Sequence, residues 1–250
     1  MVKKGYILII QCLVIFTFLL LWEFASKYEI IKPLYISSPS RIWIYIVDGF
    51  SDGFLLKHLL ITLNESFWGL LLGIFLGVLF GVLFALNKTL DKIFQPFVSM
   101  FNAMPRLALA PIIMLWFGFG LFSKVIIVVS MVFFVIFFNI YHGIKEINPI
   151  LLKNSITLGA TKMQILKNIY FPSIFGWIFS SLRLAVAYSI ISAILGEYIG
   201  ANAGLGYLID NAQSMFNSTA VFGGIIVLMI VTLIVDNVIR ILEQKIIKWK

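Results

Sequence analysis

Few residues in this 250-residue sequence could do chemistry, and they are scattered. Arg106, Arg183 and Asp236 lie inside long apolar stretches, Glu197 closes another, and Glu65 stands just ahead of an uncharged run over 66–87. An arginine at mid-helix in lipid costs about 2.5–3.5 kcal/mol on insertion scales, so each such charge needs a partner or a water-filled path. Two readings follow. In one, Arg106, Arg183 and Glu197 face a path and the arginines favour an anionic solute. In the other, Arg183 forms an internal ion pair, with Asp236 or Glu65. Arg106 sits between Pro105 and Pro111, where a broken helix would free backbone carbonyls to line a cavity. His58 and His142 fall near span ends on opposite faces of a bilayer and cannot share a metal. Cys12 is the single cysteine and lies in the first apolar run, so no disulfide is expected. No cluster of His, Asp, Glu or Cys at one depth suggests an enzyme or a metal centre. No G-x-x-x-x-G-K-[ST] phosphate loop occurs, so the chain itself should not hydrolyse ATP.

The elements that hold these residues are set by composition. The chain is 61% hydrophobic and 12% charged, with a mean hydropathy of +1.05. Soluble proteins carry about 25% charged residues, so lipid must be the solvent for much of this surface. The 19 Lys and Arg against 11 Asp and Glu do not point to nucleic acid, because the basic residues flank apolar runs rather than forming one patch.

Uncharged runs predict six spans, at about 6–24, 59–86, 94–120, 124–143, 172–196 and 221–242. A run of about 20 helical residues covers the ~30 Å hydrocarbon core. The third is interrupted by Pro105, Arg106 and Pro111. The 18 uncharged residues over 5–22 exceed the usual signal-peptide core of about 7–15, so the first run reads as a retained span. With both termini inside, twelve basic residues are cytoplasmic, among them Lys3, Lys153, Lys162, Lys248 and Lys250. Five are external: Lys27, Lys32, Arg41, Lys57 and Lys124. That bias places both termini in the cytoplasm. Residues 28–57, broken by Pro33, Pro39, Gly49 and Gly53, form an external segment with room for a short surface helix. Gly69, Gly73, Gly77 and Gly81 recur every four residues and line one helical stripe. There a neighbouring backbone comes close, either within the subunit or across a subunit contact. The whole of 1–250 reads as one transmembrane domain, with 1–57 as first span plus external segment and 58–250 as its core.

The loop over 146–171, ahead of the fifth span, carries the densest local signals. Asn148 can cap a helix with Pro149 in its first position. Gly159 suits the left-handed turn that ends it. Thr161 and Gln164 make the capping box of a second helix, and Pro172 opens the span. Ile156, Leu158, Met163, Ile165, Leu166 and Ile169 make this loop apolar where it should meet water, so something must cover it.

Gly159 and Pro172, thirteen residues apart, with Ile169 three before the proline, resemble the EAA loop of permease subunits in bacterial ATP-binding-cassette importers. The stretch LGATKMQILKNIYFPSIFGWIFSSLRLAVAYSIISAILGEYIGANAGLGYLI, 158–209, looks like the nitrate, sulfonate and taurine branch of that family, and MPRLALAPIIMLWFG, 104–118, is similar to its third span. Asp236 followed by Trp249 also fits. The resemblance implies an all-α polytopic permease of about six transmembrane helices in the bacterial inner membrane. It implies a loop that serves as coupling helix in a groove of the ATPase, through Leu158, Gly159, Ala160, Thr161, Ile169 and Pro172. Where the family has Glu-Ala-Ala this chain has Lys153, Asn154 and Ser155, so the first charge is reversed and docking there rests on shape and apolar contact. The resemblance further implies two ATPase subunits that bind the ATP, a second permease copy and an external solute-binding protein. The expected cargo is a small anion of the sulfonate, taurine or nitrate type, with a thiamine or flavin precursor as the alternative. A self-sufficient secondary transporter or channel would need several buried carboxylates, whereas the sequence puts only Asp236 and Glu65 within spans.

Overall fold

Apolar length sets the architecture. The computed structural model describes residues 4–28, 30, 32 and 34–246. Lys3, Pro33, Lys248, Trp249 and Lys250 lie outside the described residues. The described chain is helical, in the order α1 (Lys4–Lys27), α2 (Pro39–Ser51), α3 (Phe54–Leu86), α4 (Lys88–Ala103), a 3-10 turn (Arg106–Leu109), α5 (Ala110–Phe117) and α6 (Leu121–Lys145). There follow α7 (Pro149–Thr157), α8 (Lys162–Ile165), a π turn (Leu166–Tyr170), α9 (Phe171–Gly200), α10 (Leu205–Ser214) and α11 (Ser218–Ile246). Five helical stretches among the described residues are long and apolar enough to cross a membrane: those of α1, α3, α6, α8–α9 and α11.

The third span expected over 94–120 is not one helix. α4 ends at Ala103, Met104 is extended, and the 3-10 turn leads into α5. Pro105 has no N–H for the ladder and disfavours helical backbone at Met104, while Pro111 sits in the first turn of α5, where no N–H is needed. The broken segment still makes the crossing. Gly69, Gly73, Gly77 and Gly81 of α3 meet Val128, Val132, Ile136 and Ile140 of α6 in the same order, so α3 and α6 run parallel. The intervening chain must therefore return along their full length. Asp91 in the first turn of α4 binds Lys145 at the end of α6, while Ala110, Ile113 and Met114 of α5 pack on Ile127 near its start.

The glycine stripe allows this close parallel pairing. A Cβ at Gly69 would stand 2.3 Å from the Val128 Cβ, at Gly73 2.7 Å from that of Val132, and at Gly77 2.8 Å from that of Ile136. The stripe is thus consumed by packing inside the chain. α9 lies antiparallel on α6, with Ile174 and Trp177 beside Ile144 and Gly143, and Gly196 beside Lys124. α11 covers α9 through Ile239, Val186 and Ile190.

α2 is the short helix expected in the external segment. Ser38 caps it and Pro39 opens it, and Ile42 is buried while Trp43 and Ile44 on the other side are exposed. α1 stands apart. Its apolar residues from Tyr6 to Phe24 are almost all exposed, and its described ties are a Trp22–Phe222 ring contact and hydrogen bonds from Ser40 to Glu23.

Candidate coupling loop and membrane-embedded charges

The loop over 146–171 is built by its own side chains. The Asn148 carboxamide oxygen accepts from the Ile150 N–H at 2.9 Å, and Pro149 fills the first helical position, where no N–H is needed. At the other end of α7, Gly159 adopts φ +85°, its N–H reaching Ile156 O at 2.9 Å and that of Ala160 reaching Ser155 O at 3.0 Å. That pair of bonds is a Schellman closure, which a glycine permits at no steric cost. Thr161 and Gln164 exchange their side-chain bonds in a full capping box, 2.8 and 3.3 Å. The closed turn thrusts Leu158 outward, 87% exposed, flanked by exposed Ile150, Ile156 and Met163. Lys153, Asn154, Gly159, Thr161 and Pro172 are exposed with it, while Ser155, Ala160 and Ile169 are half-buried.

Pro172 stands in the first turn of α9, as the sequence suggested, but helical backbone already leads into it through α8 and the π turn, over Lys162–Gly200. Pro172 has no N–H to give and its ring crowds the carbonyl four residues back, so the ladder loosens ahead of it. The chain takes up the strain as a π turn, the Phe171 N–H reaching five residues back to Leu166 O. At about 1.5 Å per residue, the 39-residue rod is about 58 Å long.

A polar clamp holds the loop's other root. Asp91 of α4 accepts from Lys145 Nζ at 2.6 Å and from the Tyr141 hydroxyl, and Lys145 Nζ also donates to Tyr141 Oη at 2.7 Å. These donors, Lys145 first, hold the Asp91 carboxyl below the ordinary carboxylate range.

The three expected path residues do not meet. Arg106 is half-buried on the 3-10 turn, its guanidinium carbon 4.6 Å from the Phe134 ring centroid. Arg183 Nε faces Asp236 Oδ1 at 3.4 Å and its Nη2 meets Glu243 Oε2 at 3.2 Å. Of the two partners the sequence suggested for Arg183, the structure supplies Asp236 and adds Glu243. Arg183 and Asp236 line an open cleft of about 460 Å³ between α9 and α11, with Ser180 and Thr232. A second cleft of about 500 Å³ continues along α3, α9 and α11, lined by Leu60, Asn64, Ser66, Ser189 and Val235.

Glu197 is sealed, 1% exposed, in a polar knot where α3 begins and α9 ends. Thr62 Oγ1 donates to its Oε1 at 2.6 Å and the Gly206 N–H to its Oε2 at 2.6 Å. Thr62 also accepts the Leu205 N–H at 2.9 Å, and His58 Nδ1 accepts that of Gly204 at 3.0 Å. Beside them Lys124 Nζ donates to Glu65 Oε1 at 2.8 Å, both side chains buried. Sequence reasoning counted Lys124 among external charges. It is instead an internal cation, three residues into α6, and Glu65 is spent on it rather than on Arg183. Thr62, Lys124, Gly204 and Gly206 were missed as site residues. The signals were a basic residue at the lip of an apolar run and a glycine pair after Glu197, and neither names its partner. No group of three or more His, Cys, Asp or Glu able to hold a metal occurs among the described residues.

Residues 69–248 match the family described as binding-protein-dependent transport system inner membrane component. The chain is 32% identical over 248 residues to the formylaminopyrimidine transport permease protein ThiX of Halalkalibacterium halodurans, covering 99% of this chain and 98% of that protein. It is 26% identical to the putative aliphatic sulfonates transport permease protein SsuC of Bacillus subtilis, covering 92% and 83% of the two. Identity to the taurine transport system permease protein TauC of Escherichia coli is 24%, over 92% and 86%. Among solved structures, an inward-facing form of the MetNI methionine transporter shares the fold, with a TM-score of 0.66 at 20% identity, covering 76% of this chain and 95% of that one. The relatives are transport permeases rather than enzymes. With its helical spans and the match over 69–248, the chain belongs to the family of inner-membrane permease components of binding-protein-dependent ATP-binding-cassette importers.

Proposed function

We propose that the chain carries a small solute into the cell, driven by a separate ATPase that docks on the 146–171 loop. The exposed apolar turn around Leu158 carries this reading, since a water-facing knob held by three caps has no use to the chain itself. Lys153, Asn154, Ser155, Gly159, Ala160, Thr161, Ile169 and Pro172 shape or border that knob. The basic-residue bias supports a cytoplasmic loop and cytoplasmic termini. The working assembly is two copies of this chain around a central path, two ATPase subunits, and an external solute-binding protein that delivers the cargo. Closure of the ATPases pushes the loop, and the Lys162–Gly200 rod tilts to open the path outward. Arg183, in its open cleft, is the path candidate with access to solute, whereas Arg106 and Glu197 shape the walls.

For the cargo, near-complete alignment with the ThiX permease favours a formylated aminopyrimidine, a thiamine precursor. The two acidic partners of Arg183 offset the positive charge on which an anion would depend. A sulfonate or taurine is the second reading, supported by the SsuC and TauC relatives. Proteoliposomes with this chain, the ATPase and the binding protein should import the pyrimidine only with ATP, and excess taurine should not compete. Import by the chain without any ATPase would sink the functional reading, while competition by taurine would overturn the cargo alone.

A further inference from the structure

We propose that Glu65 and Glu197 form a proton-binding site, in which one proton held between the two carboxyl groups fastens the turn over 201–206 to α3. The donors at this knot can be counted. Glu65 Oε1 takes Lys124 Nζ, Glu197 Oε1 takes the Thr62 hydroxyl, and Glu197 Oε2 takes the Gly206 N–H. Glu65 Oε2 is buried and receives no donor, and Thr62, one turn before Glu65 on the same face of α3, holds the Glu197 carboxyl alongside it. Thr62 has no second proton to offer. Ionised carboxylates only accept, so two of them in contact would repel where a protonated pair would bond.

Charge leads to the same count. One lysine against two carboxylates leaves a negative charge in a nearly dry site, both acids being 1% exposed. One proton makes the trio neutral. The surroundings supply no other balance among the described residues. From α3 comes His58, whose Nδ1 stands 3.0 Å from Gly204 N and 3.2 Å from Gly204 O, so the ring is spent on the backbone of the turn rather than on either carboxyl. α6 brings Lys124, α5 has no charged residue, and α10 offers only Asp210, itself an acid. Because Glu197 grips Gly206 while Thr62 grips Leu205, the proton completes the fastening of the α9–α10 turn to α3. It belongs to the pair rather than to either residue.

Infrared spectra of the purified chain in an ester-free detergent test this. At neutral pH the wild type should show a protonated-carboxyl C=O band that shifts in D2O, and both Glu65→Gln and Glu197→Gln should remove it. Glu65→Gln leaves the Glu197 carboxylate to face Lys124 and replaces the proton with an amide N–H, so it should melt within a few degrees of wild type, whereas Glu197→Gln turns its amide N–H toward Thr62 or Gly206 and should melt lower. The double variant strands Lys124 and should melt well below either. Difference spectra lacking the band for both variants would overturn the proposal. If only one variant folds, its spectrum decides. If neither folds, absence of the band from the wild type at neutral pH overturns the proposal, and its loss on alkaline titration with a falling melting temperature upholds it.

Discussion

Replacing Gly69 with alanine measures how tightly α3 and α6 are locked. The new Cβ would lie 2.3 Å from the Val128 Cβ and 2.4 Å from its Cγ1, with the Val125 carbonyl at 3.3 Å. Carbon atoms prefer about 3.5–4.0 Å, so the helices must part there by about 1.2–1.7 Å. At Gly81 the nearest atom is the Ile140 Cβ at 3.1 Å, and a shift of about 0.4–0.9 Å suffices. Overpacking costs about 1–3 kcal/mol, while alanine is favoured over glycine within a helix by about 1 kcal/mol. Gly81→Ala should therefore be close to neutral. Gly69→Ala should lose about 2 kcal/mol, and it should also stretch the Lys124–Glu65 bond one turn away. Thermal unfolding of the two variants in the same detergent gives the order. If Gly69→Ala melts at or above Gly81→Ala, the stripe is not the contact that sets the spacing of these helices.

Three further outcomes are expected. Lys124→Met leaves buried carboxylates without their cation and should cost about 3–5 kcal/mol, read as a large drop in melting temperature; an unchanged melt would show that the pair is not buried in solution. Leu158→Glu should leave the melt unchanged, because the side chain touches little of its own chain, while abolishing co-purification of the ATPase; retained co-purification would move the docking surface elsewhere. The Asp91 carboxyl is held low by Lys145 and Tyr141, so its contribution is present above the ordinary aspartate range and is lost as pH falls through its folded value. Asp91→Asn should remove that acid-side loss of stability, by about 0.2–1 kcal/mol given the clamp's exposure, and a variant with the wild-type acid limb would refute the assignment.

What was legible in the sequence was local. Asn148, Pro149, Gly159, Thr161 and Gln164 act within a few residues of themselves, so the caps of the loop could be read from spacing. The glycine stripe announced a close neighbour because its period is that of a helix face, but nothing in residues 69–81 names Val128 or Ile136. Pro105 and Pro111 marked a disturbed third span, while the parallel run of α3 and α6 was needed to show that the broken segment completes the crossing. α10 went unread because its start is set by Gly204 at φ +117°, held by His58 from 146 residues away. Lys124 and Glu65, 59 residues apart, had no local mark of their pairing. Pro172 marked the start of α9, but the π turn that joins α9 to α8 leaves no trace in composition.

That π turn sets an angular phase. Successive residues of a helix are about 100° apart, so one extra residue in a turn rotates everything beyond it by about that angle relative to an unbroken ladder. The widened turn at Leu166–Tyr170 thus decides which side of α8 faces the same way as the core side of α9. Deleting a single residue there, Asn168 for instance, would leave the caps, the rod and the span in place. It would turn Met163 and the Thr161 corner roughly a quarter of the way around the axis, so that an intact loop would present the wrong side.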